Sequence, residues 1–323
     1  MLREKIKKAS IIPKVGDIVE IEKTSNKTGV IIDVKPRKNE LSKPNIANID
    51  QVVIVLSSYK PDFNSLILDK FLVFYQSYNI DCIICINKSD LLDNSLKEFI
   101  NYYSNIGYKL IYTSAKTGDG IDDLKQELLE KVSVLAGVSG AGKSSIINRI
   151  DSNLKLKVGD VSENLGIGKH TTRYVSLQMI RYKNKNCFIA DSPGFSFIEL
   201  NNIESKKLSY YFREFIPFIN KCEMKDCLHL HEDNCFLKKN IDIENNHRYL
   251  NYLKFLNEIL EIEKIKKTKS SKIENNIKIF KKSDGKNIKI IKLPEELRDK
   301  SRKFINQNLK KLEKINSIDD IDL

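Results

Sequence analysis

No run of about 18 or more apolar residues occurs in the 323-residue chain, which excludes a membrane-spanning helix. The opening MLREKIKKAS has neither the apolar stretch nor the small-residue cleavage site of a secretory leader, so the expected compartment is the cytoplasm. In that reducing setting six cysteines point to metal ligands or buried thiols rather than a disulfide frame. No repeat of fixed period is present, and no long heptad run offers a self-association seam, so a monomer is expected. What remains, 41% hydrophobic and 30% charged, is the composition of a soluble globular protein long enough for two or three domains.

Acidic residues are outnumbered 43 to 55, and unevenly. Residues 1–45 carry 11 Lys and Arg against 6 Asp and Glu, residues 264–323 carry 18 against 9, and residues 46–263 carry 26 against 28. A near-neutral centre between basic ends suits a polyanion such as RNA, because phosphate neutralisation supplies most non-specific nucleic-acid affinity. Lys-rich ends equally suit a solvated surface in a chain rich in Lys, Asn and Ile throughout, so charge alone decides nothing.

Four segments follow from texture. Residues 1–45 read as β-rich, with VGDIVEIE and VIIDV as strands around KTSNKTG. Residues 46–200 alternate apolar strands (DQVVIVLSS, DCIICIN, SVLAG, NCFIAD) with helices, the pattern of an α/β parallel sheet covered on both faces. In residues 201–263 strands vanish, and SYYFREFIPFIN and HRYLNYLKFLNEILEIEK space their apolar residues at helical intervals around a Cys-rich loop. Residues 264–323 are a basic extension with one more expected helix, from Pro294 to about Ile315.

The sharpest motif is Gly137-Val138-Ser139-Gly140-Ala141-Gly142-Lys143-Ser144, followed by Ser145, which fits G-x-x-x-x-G-K-[ST] and directly follows the strand SVLA. Phosphate oxygens need convergent backbone N–H donors, glycines let the chain wrap that closely, and the next helix adds its positive end. Lys143 is expected on the β and γ phosphates and the Ser144 hydroxyl on Mg²⁺. Asn87-Lys88-Ser89-Asp90, at the end of DCIICI, has the form N-K-x-D. A carboxylate at Asp90 accepts from both the ring N–H and the exocyclic amine of guanine, whereas adenine offers no such donor pair. Asn87 would hold the neighbouring loops and the Lys88 stem would cover the ring. Ser114-Ala115-Lys116, after KLIYT, would close the base pocket with a backbone N–H.

Asp191-Ser192-Pro193-Gly194 ends the strand NCFIA and fits D-x-x-G, with Asp191 on Mg²⁺ and the Gly194 N–H on the γ-phosphate. Between it and the P-loop, Gly168-Lys169-His170-Thr171-Thr172 offers a hydroxyl for the magnesium shell; spacing leaves Thr171 and Thr172 both open. Ordinary GTPases run from P-loop to N-K-x-D and S-A-K, but here the last two come first. The site depends on where strand ends meet, not on chain order, so a circularly permuted P-loop GTPase domain is expected. The segment after D-x-x-G then leads straight into the C-terminal helical part, which hydrolysis would be able to reorient. Phe195 follows Gly194 in place of the Gln that many GTPases use to orient water, so intrinsic turnover should be slow, and His170 is the nearest alternative.

Cys222-x₄-Cys227-x-His229-x₅-Cys235 supplies four ligands for a closed, structural zinc site, with His231 competing for the place of His229. Cys82, Cys85 and Cys187 lie inside apolar strands and read as core thiols.

NKSD, SAK, GVSGAGKSS, GKHTT and DSPGF in this order, followed by that zinc loop, closely resemble the ribosome small-subunit-dependent GTPase A family over roughly residues 15–263. The resemblance implies an N-terminal OB-fold β-barrel, a permuted GTPase domain and a C-terminal α-helical zinc-binding domain. It implies Mg-dependent hydrolysis of GTP to GDP and phosphate, late in maturation of the small ribosomal subunit, stimulated by that subunit and controlling release, with the subunit and its rRNA as partners. It also implies that His170 takes part in hydrolysis and favours His229 as the zinc ligand. Only 14 residues precede VGDIVEIE, so the barrel is expected to be incomplete, and the basic extension lies outside the usual family length. Two competing readings are a GTP-dependent switch for a non-ribosomal partner, and a zinc-stabilised RNA-binding module that holds GTP constitutively. The zinc loop, basic ends and Phe195 favour the subunit-maturation reading.

Overall fold

β-Branched residues stiff at χ1 fit a pleated, covered surface, and the strand Gln51–Ser57 is buried at every position. The computed structural model describes residues 12–25, 28–42, 44–154, 176–191, 198–244, 246–274, 277–281 and 287–291, and the chain forms two compact units, Met1–Ile259 and Leu260–Leu323.

The first unit is organised by a six-stranded sheet made of β5 (Gln51–Ser57), β6 (Asp81–Asn87), β7 (Lys109–Thr113), β8 (Val132–Ala136), β9 (Ser176–Tyr182) and β10 (Lys185–Asp191), in the order β7-β6-β5-β8-β10-β9. All pairs are parallel except β10 with the edge strand β9. Helix α1 (Ser65–Gln76) and α2 (Asn94–Asn105) cover one face. Helix α3 (Ile121–Leu128) and α4 (Lys143–Ile150) cover the other. The period-2 alternation of a strand sends Val52, Ile54 and Leu56 to the first face and Val53 and Val55 to the second. Cys82 and Cys85, three positions apart, therefore join opposite cores, and burial pushes the Cys85 thiol up to about 12. They are core thiols, not a redox pair.

Before the sheet, β1 (Val19–Lys23) pairs antiparallel with β2 (Gly29–Val34), and β3 (Glu40–Leu41) with β4 (Ile46–Ala47). Among the described residues these remain separate two-stranded ladders, with an isolated bridge from Val15, ahead of β1, to Ile46 of β4, and no closed five-stranded barrel is present.

After β10 the continuous helix expected from SYYFREFIPFIN is replaced by 3-10 turns over Ser205–Tyr211 and Arg213–Phe215 and the short α5 (Ile216–Ile219). Phe212, extended at φ −110° and ψ 104°, breaks the helix. Its ring and that of Phe215 are fully buried and stack at 4.9 Å, edge-on to Tyr252, so packing overrides helical spacing. Helix α6 (Phe236–Asn240) follows the Cys-rich loop, and then α7 (His247–Glu274).

In the second unit β11 (Ile277–Lys281) pairs antiparallel with β12 (Asn287–Ile291), two strands that the expectation of a basic extension with one helix did not include. IKIFK and NIKII are rich in β-branched residues and flank a segment containing Asp284-Gly285, a turn signal that the high Lys content obscured. The expected helix from Pro294 lies outside the described residues.

Candidate nucleotide and metal sites

Parallel pairing sets Ser57, Asn87 and Thr113 side by side at the C-terminal edge of β5, β6 and β7, and the P-loop leaves the neighbouring β8. This is the edge at which open α/β sheets bind ligands. Asn87 joins three loops there. Its Nδ2 donates to the Ala141 carbonyl at 2.9 Å, while its Oδ1 accepts from the Ala115 N–H at 3.2 Å and the Thr113 hydroxyl at 3.4 Å. The P-loop, the N-K-x-D loop and the S-A-K loop, far apart in sequence, thus share one buried amide. Gly142 makes that crossing possible: its φ is +93°, and a Cβ there would lie 2.2 Å from Asn87 Nδ2.

Asp90 sits in the 3-10 turn Ser89–Leu91, exposed, with Oδ1 accepting from the buried Ser114 hydroxyl at 2.6 Å. One carboxylate oxygen is thereby oriented while the group stays open to a ligand. Lys88 Nζ donates to the carbonyls of Tyr59 at 3.1 Å, Gly140 at 3.3 Å and Lys60, and burial lowers its pKa. Lys116 is exposed beside the half-buried Ala115.

In the P-loop, Lys143 opens α4 and its Nζ donates to Gly137 O at 3.0 Å and Val138 O at 2.9 Å. The ammonium is held inside the loop whose N–H groups and helix end favour an anion. Ser139, Ser144 and Ser145 are half-buried on the same turn and the start of α4. The Asp191 backbone pairs with Leu135 of β8, so the strand that ends in the D-x-x-G motif runs beside the strand that leads into the P-loop. Its side chain, Gly194, His170, Thr171 and Thr172 lie outside the described side chains. Of the residues expected to hold magnesium, Ser144 is the one whose side chain is described, half-buried at the start of α4.

In the C-terminal module Cys222, Cys227, His229 and Cys235 converge with all ligand atoms within 4.8 Å of one another. His229 Nδ1 lies 3.3 Å from Cys235 Sγ, 3.4 Å from Cys227 Sγ and 3.7 Å from Cys222 Sγ, with the Cys222 and Cys235 sulfurs 3.9 Å apart. Metal–sulfur bonds of about 2.3 Å and metal–nitrogen bonds of about 2.0 Å place tetrahedral donors about 3.5 to 3.8 Å apart, so the set fits zinc. His231, which competed on spacing, is not in the cluster. Glu232 shapes the knuckle by accepting from the N–H groups of Leu228 and Leu230, both at 2.7 Å. On α7, Tyr249 donates to His229 O at 2.7 Å and Tyr252 to Leu228 O at 2.6 Å.

A buried polar junction, unforeseen from the sequence, anchors that module. Arg248 on α7 donates from Nη1 to Asp69 Oδ1 at 2.7 Å on α1, and from Nε to Glu214 at 2.5 Å. Asn251 donates to Asp69 Oδ2 at 2.7 Å and Tyr103 to Oδ1 at 3.1 Å. The guanidinium also faces the rings of Phe212, Tyr103 and Tyr108 at 5.0, 5.2 and 5.5 Å. Arg248, Asn251 and Tyr252 sit at three- and four-residue spacing on one stripe of α7, the only hint the sequence held.

The RsgA GTPase family model matches residues 34–201, and a 50S ribosome-binding GTPase model matches residues 132–272. A relative from Caldanaerobacter subterraneus subsp. tengcongensis, named small ribosomal subunit biogenesis GTPase RsgA, is 43% identical over 241 residues, covering 74% of this chain and 80% of that protein. A relative of the same name from Geobacillus thermodenitrificans is 43% identical over 237 residues, covering 72% and 80%. Among solved structures, YjeQ from Thermotoga maritima superposes with a TM-score of 0.67 at 36% identity, covering 80% of this chain and 88% of that one. YloQ, described as a circularly permuted GTPase, superposes with a TM-score of 0.65 at 34% identity over 79% and 84%. With its guanine loops preceding its P-loop along the chain yet meeting it through Asn87 in space, this chain belongs to the RsgA GTPase family.

Proposed function

We propose that this chain hydrolyses GTP to GDP and phosphate as a maturation factor of the small ribosomal subunit, with subunit-stimulated turnover setting its release. The observation that carries the reading is the triple link at Asn87, which gathers the N-K-x-D, S-A-K and P-loop motifs at one sheet edge. In it Asp90 selects guanine, Lys143 and the P-loop from Gly137 to Ser145 hold the phosphates, and Ser144, Asp191 and Thr171 or Thr172 hold magnesium. Gly194 contacts the γ-phosphate and His170 orients the attacking water. Zinc on Cys222, Cys227, His229 and Cys235 stiffens the C-terminal module, residues 201–263. Residues 1–45, as a partial OB-fold, and the basic residues 264–323 contact rRNA, and the protein works as a cytoplasmic monomer. The names of its relatives support the ribosomal role.

Multiple-turnover GTP hydrolysis with small subunits, large subunits and intact ribosomes tests this. Stimulation by small subunits is expected; stimulation by large subunits alone, the outcome suited to the 50S ribosome-binding description of residues 132–272, would overturn it. Replacing His170 with Ala should leave nucleotide affinity nearly unchanged and slow hydrolysis.

A further inference from the structure

We infer that Ser58 is a positioning residue for guanine recognition, holding the Asn87-Lys88 step in the backbone geometry that presents Asp90. The inference rests on the reading of Asp90 as the guanine-binding carboxylate. Lys88 adopts a left-handed conformation, φ 62° and ψ 37°, which is unfavourable for a residue with a Cβ and persists only where neighbours fix it. Ser58 supplies that fixation from the end of another strand. Its hydroxyl donates to Lys88 O at 2.7 Å and its N–H donates to Asn87 O at 3.1 Å, so one residue holds two successive carbonyls of the motif.

The same Lys88 carbonyl accepts from Leu91 N–H at 2.9 Å, the bond that closes the 3-10 turn carrying Asp90. Both lone pairs of that oxygen are therefore used, one by the turn and one by Ser58. Removing the hydroxyl frees the carbonyl to rotate toward water, and the turn above it loses its fixed end. The grip is also reciprocal: Lys88 Nζ returns to the carbonyls of Tyr59 and Lys60, and Ser57 Oγ donates to Tyr59 O at 2.6 Å, so residues 57–60 and 87–91 brace one another. Ser58 is about 30 positions upstream of the motif and is only 9% exposed, so its hydroxyl is committed to this contact. No sequence pattern marked it.

The readout is base selectivity. Hypoxanthine lacks the 2-amino group that Asp90 would accept from, so a misaligned Asp90 penalises guanine nucleotides more than inosine nucleotides. Binding of GDP and IDP, and steady-state hydrolysis of GTP and ITP, are measured for the full-length wild type, Ser58→Ala and Ser58→Thr. In Ser58→Ala, GDP affinity is expected to fall roughly tenfold and IDP affinity less than about threefold, with the loss in hydrolysis appearing in KM rather than kcat. Ser58→Thr, which keeps a hydroxyl, restores the preference. Unchanged GDP affinity in Ser58→Ala, or equal losses for both nucleotides, overturns the positioning role while leaving the guanine site standing. A wild type that does not distinguish GDP from IDP overturns both.

Discussion

Arg248 and Asp69 are 179 positions apart in sequence and 2.7 Å apart in space, and neither side chain is exposed. One belongs to the helix that buttresses the zinc knuckle, the other to the helix that follows β5. A swing of His247–Ile259 away from α1 would have to open this pair without water to receive the charges. Movement transmitted beyond Asp191 on hydrolysis is therefore expected to leave the junction closed, which narrows the reorientation that chain order alone permits.

Removing one charge should be costly. Replacing Arg248 with Ala leaves Asp69 buried among Tyr103 and Asn251 with no cation, and about 3–5 kcal/mol of stability is expected to be lost. Chemical denaturation of the full chain measures it. Pairing Arg248→Met with Asp69→Leu should recover part of the loss, because the buried Asp69 charge is then removed with its partner and only Glu214, 11% exposed, loses its cation.

His247 gives the fold an acid-sensitive contact. Its ring lies 4.5 Å from Phe99, 5.1 Å from Tyr102 and 5.8 Å from Tyr103, and burial, reinforced by the Arg248 charge, lowers its pKa to about 4. The unfolded chain, with an ordinary histidine near 6.5, takes up the proton first as pH falls. Stability from this group is therefore full above about pH 6.5 and is lost on descending toward about pH 4. Replacing His247 with Phe should flatten the pH dependence of the unfolding midpoint across that window.

Metal content tests the knuckle. The purified chain is expected to bind about one zinc, and Cys235→Ser to bind little. Without the ion the buried thiols and imidazole lose the cation that joins them. Limited proteolysis should then cut within residues 222–235 far faster than in the zinc-bound protein.

Gly142 tests the crossing of loops. An added Cβ meets Asn87 Nδ2 at 2.2 Å on a backbone at φ +93°, so Gly142→Ala must displace either the P-loop or the amide. Guanine-nucleotide affinity is expected to drop by about 100-fold or more, measured by titration with a fluorescent GDP. The melting temperature should move by only a few degrees, because the sheet core beneath is untouched.

The local chemistry of the nucleotide motifs was written in the sequence, because each is a short contiguous loop at the end of an apolar strand, and periodicity alone locates such loops. The zinc donors were equally legible by type and spacing, but not the choice between His229 and His231. Their order along the chain also disclosed the permutation. What tertiary structure decided was everything that joins residues distant in sequence: Asn87 tying three loops, Ser58 bracing a motif from another strand, Arg248 closing on Asp69, and Phe212 breaking a helix to fill a core. Those contacts depend on which strand ends lie side by side and which surfaces become dry, and neither strand order nor burial is a property of a linear pattern.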